Sequence, residues 1–130
     1  MSKIGIVTVL YNSEKVLEEF FLSIDCQNYK NFILYIVDNS PSRQSKELIQ
    51  KYTARFNLLD RLVYLPSSSN IGVAAGNNVG ILEAQNDGCE YILLSNNDIL
   101  IRDENLLKNM VNGADSKKIE ILIPKIQIGR

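Results

Sequence analysis

The sequence predicts an α/β protein with a doubly wound, mostly parallel sheet and helices on both faces. Three observations carry that prediction. Short apolar, β-branched runs alternate with longer segments whose apolar residues recur at helical spacing, without internal repeat or low-complexity stretch. The runs are apolar throughout instead of alternating, as strands covered on both faces are. Three of them end in oxygen-bearing side chains, Tyr11-Asn12, Asp38-Asn39 and Asn96-Asn97-Asp98. Parallel strands place such ends along one edge of the sheet, where open α/β sheets bind ligands.

In order along the chain, Ile4-Gly5-Ile6-Val7-Thr8-Val9-Leu10 reads as a buried strand. Asn12 or Ser13 is placed to cap a helix with Val16, Leu17, Phe20, Phe21 and Ile24 on its inner face. After a turn at 28–31, Phe32-Ile33-Leu34-Tyr35-Ile36-Val37 is a second strand. Ser40-Pro41 resembles an N-cap with proline at the first helical position, opening a helix that buries Leu48, Ile49, Tyr52 and Phe56. Leu62-Val63-Tyr64-Leu65 is a third strand, and a Gly-, Ala- and Asn-dense run at 70–80 leads into a helix through Val79 and Leu82 that stops near Asp87-Gly88. Tyr91-Ile92-Leu93-Leu94 is expected to be a strand buried on both faces. A helix from near Asp103 turns Leu106, Leu107, Met110 and Val111 inward and ends at Asn112-Gly113, and Ile119 to Ile123 form a fifth strand. No helix follows to cover that strand before Arg130, so the domain is read as truncated at its C-terminal side.

The totals narrow the function. With 130 residues, 45% hydrophobic and 22% charged, the chain suffices for one domain with a sizeable core. A net charge of −1 gives no electrostatic case for nucleic acid or an anionic membrane surface. No apolar run approaches the roughly 20 residues of a spanning helix. Cys26 and Cys89 are too few and too scattered for a disulfide framework and are expected to be buried free thiols. With no signal-peptide layout at the N-terminus, cytoplasm is the default compartment. The chain has no His, which excludes a Ser-His-Asp triad, His-ligated zinc and imidazole acid/base chemistry.

What remains is carboxylate, cation and positioning chemistry. Asn96 and Asp98 lie two apart, so an extended backbone aims both side chains to one side, a pair of oxygens suited to Mg²⁺ or Mn²⁺. The same residues also suit an Asx-rich turn closing a strand. Tyr11 offers a ring face for a nucleobase, or simply closes the top of the core. Asp38 offers an acceptor to a base N–H or ribose hydroxyl, or serves an Asx turn. In the run 70–80, small residues permit close backbone approach to a ligand or to a neighbouring element, and a helix start there presents N–H groups to phosphate.

Four motifs in order carry a resemblance: Val9-Leu10-Tyr11-Asn12, Val37-Asp38-Asn39-Ser40, the run from Asn70 to Gly80, and Leu93-Leu94-Ser95-Asn96-Asn97-Asp98. Together they resemble the first half of an inverting family 2 glycosyltransferase of the GT-A fold, closest in the run 70–80 to its rhamnosyltransferase-like branch. The resemblance implies transfer of a sugar from a nucleoside-diphosphate sugar, UDP- or dTDP-linked, to a glycan or lipid-linked acceptor hydroxyl. It implies that Tyr11 stacks on the base, that Asn12 beside it is substrate-binding, that Asp38 bonds the base or ribose, and that Asn70, Gly72, Gly76, Asn77 and Asn78 line the nucleotide-sugar. Asp98 stands in the family's DxD motif as metal ligand, with Asn96 and Asn97 implied as substrate-binding and Asn96 also assisting at the metal. Asn96 replaces the motif's first carboxylate, which implies weak cation affinity without the donor's phosphates. The catalytic base of such enzymes follows later in the chain, and nothing after Asp98 matches it, so these residues are expected to bind donor without transferring sugar. A role in cell-surface polysaccharide assembly at the inner face of the membrane is a family-level expectation.

Two other classes share parts of this pattern. A sugar nucleotidyltransferase needs a Gly-rich, basic loop after the first strand, and Tyr11-Asn12-Ser13-Glu14 is neither. A flavodoxin-like binding module leaves the run 70–80 unexplained. Uncovered strand edges make a homo-oligomer an open outcome.

Overall fold

The computed structural model describes residues 1–118, 120–122 and 124. Strands β1 (Ile4–Leu10), β2 (Phe32–Asp38), β3 (Leu62–Pro66) and β4 (Tyr91–Leu94) alternate with helices α1 (Leu17–Asp25), α2 (Arg43–Arg55), α3 (Gly72–Asn86) and α4 (Leu106–Lys117). All strand pairs are parallel, in the order β3-β2-β1-β4. The chain reverses direction across the sheet between β1 and β4, so the carboxyl ends of these two neighbours make a switch point.

The period of two along each strand sorts side chains between two layers. Ile4, Ile6 and Leu10 of β1 join Leu34 and Ile36 of β2 against Leu17, Phe20 and Phe21 of α1, Ile49 and Tyr52 of α2, and Leu107 and Val111 of α4. Phe21, Tyr52 and Phe56 stack obliquely there, with centroids 5.7–6.4 Å apart. Each such large apolar side chain, when fully buried, stabilises the fold by about 1.5–3 kcal/mol. The alternate residues, Val7 and Tyr35 among them, face α3 on the other side with Ala84. Helices therefore cover both faces, as the alternation of elements predicts.

The contact between α3 and β1 is made by small residues. Val79 and Leu82 of α3 are exposed, while Gly76, Gly80 and Ala84 are buried. A Cβ added at Gly80 would lie 2.3 Å from Val7 Cγ1, and one at Gly76 would lie 3.0 Å from Val9. Spaced four apart, these residues form a flat stripe on which the β-branched side chains of β1 rest.

Several expected boundaries move, each for a local reason. Asn12 and Ser13 do not cap α1. Asn12 takes a left-handed φ of 50°, and Ser13 Oγ is bonded to the backbone of Tyr11, so the helix begins only at Leu17. Ser42, not Ser40, caps α2, in a capping box with Ser45. Ser40 Oγ instead accepts from the N–H of Asn12, 2.8 Å away. Asn112-Gly113 does not end α4, which runs to Lys117 and stops at Lys118 in the left-handed region. β4 is half-buried, not buried on both faces, because it is an edge strand. Cys26 is exposed at the C-cap of α1 and Cys89 half-buried, both as free thiols. The expected fifth strand has Ile119 and Ile123 outside the described residues, and no strand is assigned to Glu120, Ile121 and Leu122 between them. Among the described residues, no helix is long and apolar enough to cross a membrane.

Candidate functional site

The carboxyl ends of β1 and β4 open on a cleft of about 580 Å³, walled by the turn after β1, the first turns of α3 and the segment after β4. Asn12, Asn77, Asn96, Asn97 and Asp98 all line it. The sequence names these five from three separate stretches, and the fold brings them together.

The segment after β4 is stitched to β1. Ser95 N–H donates to Val7 O at 2.9 Å. Asn97 is buried, and its Nδ2 donates to Val9 O at 2.9 Å and to Thr8 Oγ1 at 3.2 Å. With Asn97 turned inward, its neighbours Asn96 and Asp98 are both exposed at the cleft. Neutral hydrogen bonds of this kind contribute about 1 kcal/mol each, and more is lost if a buried partner is left unmade. Asn97 is thus a brace by its amide nitrogen, and Asn96 and Asp98 are the oxygens presented to solvent.

Asp38 has a different setting. It is fully buried; Oδ1 accepts from Ser40 N–H at 3.1 Å, and Oδ2 accepts from Ser45 Oγ at 2.9 Å and Tyr64 OH at 2.7 Å. Burial, and then the bond to Asp38, push the Tyr64 phenol up to about 12. The carboxylate therefore organises the ends of β2 and β3 and the start of α2. The base or ribose contact implied by the resemblance is not offered by a free carboxylate in this arrangement.

The remaining candidates divide. The Tyr11 ring is 57% exposed, next to Asn12 but outside the cleft lining. Asn70 Oδ1 accepts from Gly72 N–H at 3.0 Å, fixing the turn into α3, where Gly72 has a φ of 83°. Gly76 faces Val9, so it seats the helix and does not line the cleft. Asn78 is exposed, away from the cleft.

Two residues at this edge escape a sequence reading. Asn39 is buried; its Nδ2 donates to Gly72 O at 3.0 Å, and its Oδ1 accepts from Ser67 Oγ at 3.0 Å. It ties the end of β2 to the loop after β3 and to the start of α3. Its place beside Asp38 was the available signal. Lys15 lines the cleft from the turn before α1, and no periodicity marks it.

Asp98 and Asn96 supply hard oxygen donors of the type Mg²⁺ or Mn²⁺ takes. Among the described residues no group of three His, Cys, Asp or Glu side chains forms a closed metal cage. The pair fits a cation that draws its other ligands from a bound phosphate and water.

Fold and site together define an α/β protein with a polar cleft at the switch point of its parallel sheet. The profile of Glycosyl transferase family 2 matches residues 5–129, and the chain belongs to that family. It is 31% identical over 115 residues to an uncharacterized glycosyltransferase of Haemophilus influenzae, covering 85% of this chain and 42% of that protein. It is 26% identical over 129 residues to the poly(ribitol-phosphate) beta-N-acetylglucosaminyltransferase TarS of Staphylococcus aureus, covering 98% of this chain and 21% of that one. The solved structure of TarS 1-349 in complex with UDP-GlcNAc superposes with a TM-score of 0.74 at 25% identity, covering 88% of this chain and 31% of that one. The mannosyltransferase PcManGT from Pyrobaculum calidifontis, in complex with GDP-Man and Mn²⁺, gives 0.77 at 18% identity, covering 86% and 32%. The fold is that of the GT-A glycosyltransferases. The chain spans less than half the length of each of these relatives. Membership of the family sets aside the nucleotidyltransferase and flavodoxin-like readings.

Proposed function

We propose that this chain is the donor-binding part of an inverting glycosyltransferase that takes its sugar from a nucleoside-diphosphate sugar, UDP- or dTDP-linked. The observation that carries the reading is the exposure of Asn96 and Asp98 together in the cleft, held there by the buried Asn97. Asp98, with Asn96, would hold a divalent cation against the donor diphosphate. When bound, such a cation offsets the negative charge that builds on the departing nucleoside diphosphate. Asn77 and Asn12 have amide donors and acceptors for the sugar or ribose hydroxyls. The exposed ring of Tyr11 is suited to stacking on the base, a contact of about 1–3 kcal/mol by analogy with single-strand binding. Asn70, Gly72, Gly76 and Asn78 act by shaping the entry to α3. The relative's complex with UDP-GlcNAc supports the donor class. The acceptor is a glycan or lipid-linked hydroxyl, which places the complete enzyme in the cytoplasm at the inner face of the membrane, in cell-surface polysaccharide or glycoconjugate synthesis.

Calorimetric titration of UDP and dTDP, with and without Mn²⁺, tests this reading. Cation-enhanced binding that disappears in Asp98→Ala is the expected result. Binding of neither nucleotide, or cation-enhanced binding unchanged in Asp98→Ala, overturns it.

A further inference from the structure

Among the described residues, two charged side chains line the cleft, Asp98 and Lys15, and the polar side chains that line it with them are neutral. Lys15 is exposed on the turn that carries the chain from β1 into α1, and it makes no ion pair among the described residues. Lys15 and Asp98 cancel in charge. A divalent cation arriving alone therefore meets one carboxylate and a competing ammonium. A multiply charged phosphate anion arriving alone meets the ammonium, amide donors and a single opposing carboxylate.

We propose that Lys15 is a diphosphate-binding residue of this cleft, so that the nucleotide is held in part without a cation and brings the cation in with it. The inference rests on the donor-site reading above and adds a residue and an order of binding to it. A flexible ammonium with three donors suits a phosphate group, whose oxygens accept charge-assisted hydrogen bonds from any direction. Lys15 lines the cleft from the turn before α1 and Asp98 from the segment after β4, so a diphosphate held in the cleft is shared between them. The positive charge that Asn96 fails to attract as a carboxylate is thus supplied in part by the protein itself.

The test uses the 130-residue chain as wild type, Lys15→Met and Lys15→Arg, titrated with UDP, with uridine and with Mn²⁺ alone. Because Lys15 is exposed, both variants keep the thermal midpoint of the wild type. Lys15→Met is expected to weaken UDP binding roughly tenfold in EDTA as well as in Mn²⁺, the loss of one charge-assisted contact. Uridine, which has no phosphates, is expected to bind the variant and the wild type alike, and Lys15→Arg to recover most of the loss. Mn²⁺ alone is expected to give no saturable binding. Equal UDP affinity in wild type and Lys15→Met overturns the proposal while leaving the donor site standing, as does an equal loss for uridine. Tight binding of Mn²⁺ without nucleotide overturns the order of binding. Failure of the wild type to bind UDP or dTDP under any condition overturns the donor-site reading and this inference together.

Discussion

Asn97 shows how one side chain decides what its neighbours do. Its amide nitrogen faces two acceptors, Val9 O and Thr8 Oγ1, and of these only the hydroxyl can turn round to donate. Asn97→Asp sets a carboxylate against a carbonyl in a buried place, at a cost of about 1–3 kcal/mol. Buried, and with at most the Thr8 hydroxyl to donate to it, that carboxyl has its folded pKa raised above the ordinary value of about 4. An acid with a raised folded pKa adds stability that is complete below its unfolded pKa and lost as pH rises through the folded one. The variant is therefore expected to melt close to the wild type at acid pH and to fall behind it toward neutrality. Thermal unfolding of both between pH 4 and 8 measures this, and a gap independent of pH refutes it. Tyr64 gives a second case, at alkaline pH. Its phenol, raised to about 12 by burial and by Asp38, contributes stability that is complete below its ordinary value of about 10 and lost as pH climbs through 12. Tyr64→Phe is expected to cost about 1–2 kcal/mol at neutral pH. Its deficit against the wild type should shrink between pH 10 and 12, read from denaturant midpoints.

Among the elements, α3 separates what pattern reveals from what it hides. Hydrophobic periodicity located the strands and α1, α2 and α4 because their inner faces are made of large apolar residues such as Phe20, Phe21, Ile49, Tyr52 and Val111. The inner face of α3 is Gly76, Gly80 and Ala84, which carry almost no hydrophobic signal, while the larger Val79 and Leu82 are exposed, so periodicity does not mark the buried face. The same limit governs the site. Strand ends marked the edge, and the pairing of Asn96 with Asp98 followed from a period of two. The inward turn of Asn97, the engagement of Asp38 by Ser45 and Tyr64, and the bridge made by Asn39 depend on partners 7 to 89 residues away. No local pattern encodes those contacts. The stripe on α3 is testable by contrast with an open glycine. Gly80→Ala drives a Cβ to 2.3 Å from Val7 Cγ1, an overpacking cost of about 1–3 kcal/mol that outweighs the gain of about 1 kcal/mol from better helix propensity. Gly113→Ala in α4, where an added Cβ meets nothing within 4 Å, is expected to stabilise by up to about 1 kcal/mol. Urea midpoints of the two variants should move in opposite directions from the wild type.

At the scale of the whole molecule, the proposed donor site is expected to bind a donor without completing a transfer. Inversion needs a group to accept the proton of the attacking hydroxyl, and among the described residues Asp98 is the one carboxylate lining the cleft. A carboxylate engaged with a cation has its lone pairs and charge committed there, and it is too weakly basic to serve the hydroxyl as well. The chain has no His to take that proton. The matched stretches of 115 and 129 residues cover 42% of the Haemophilus influenzae relative and 21% of TarS, so those proteins have room for a second set of groups around the acceptor. Incubated with Mn²⁺ and radiolabelled UDP-GlcNAc, UDP-glucose or a dTDP-sugar, together with glycan and lipid-linked acceptors, this chain is expected to retain donor without forming glycosidic product. Binding and chemistry thus separate in one experiment. Retention that depends on Asp98 with no product places the base outside these residues. Product formed by the wild type would place a base among them, and its loss in single substitutions of Asp103, Glu104 and Asp115 would identify which residue serves.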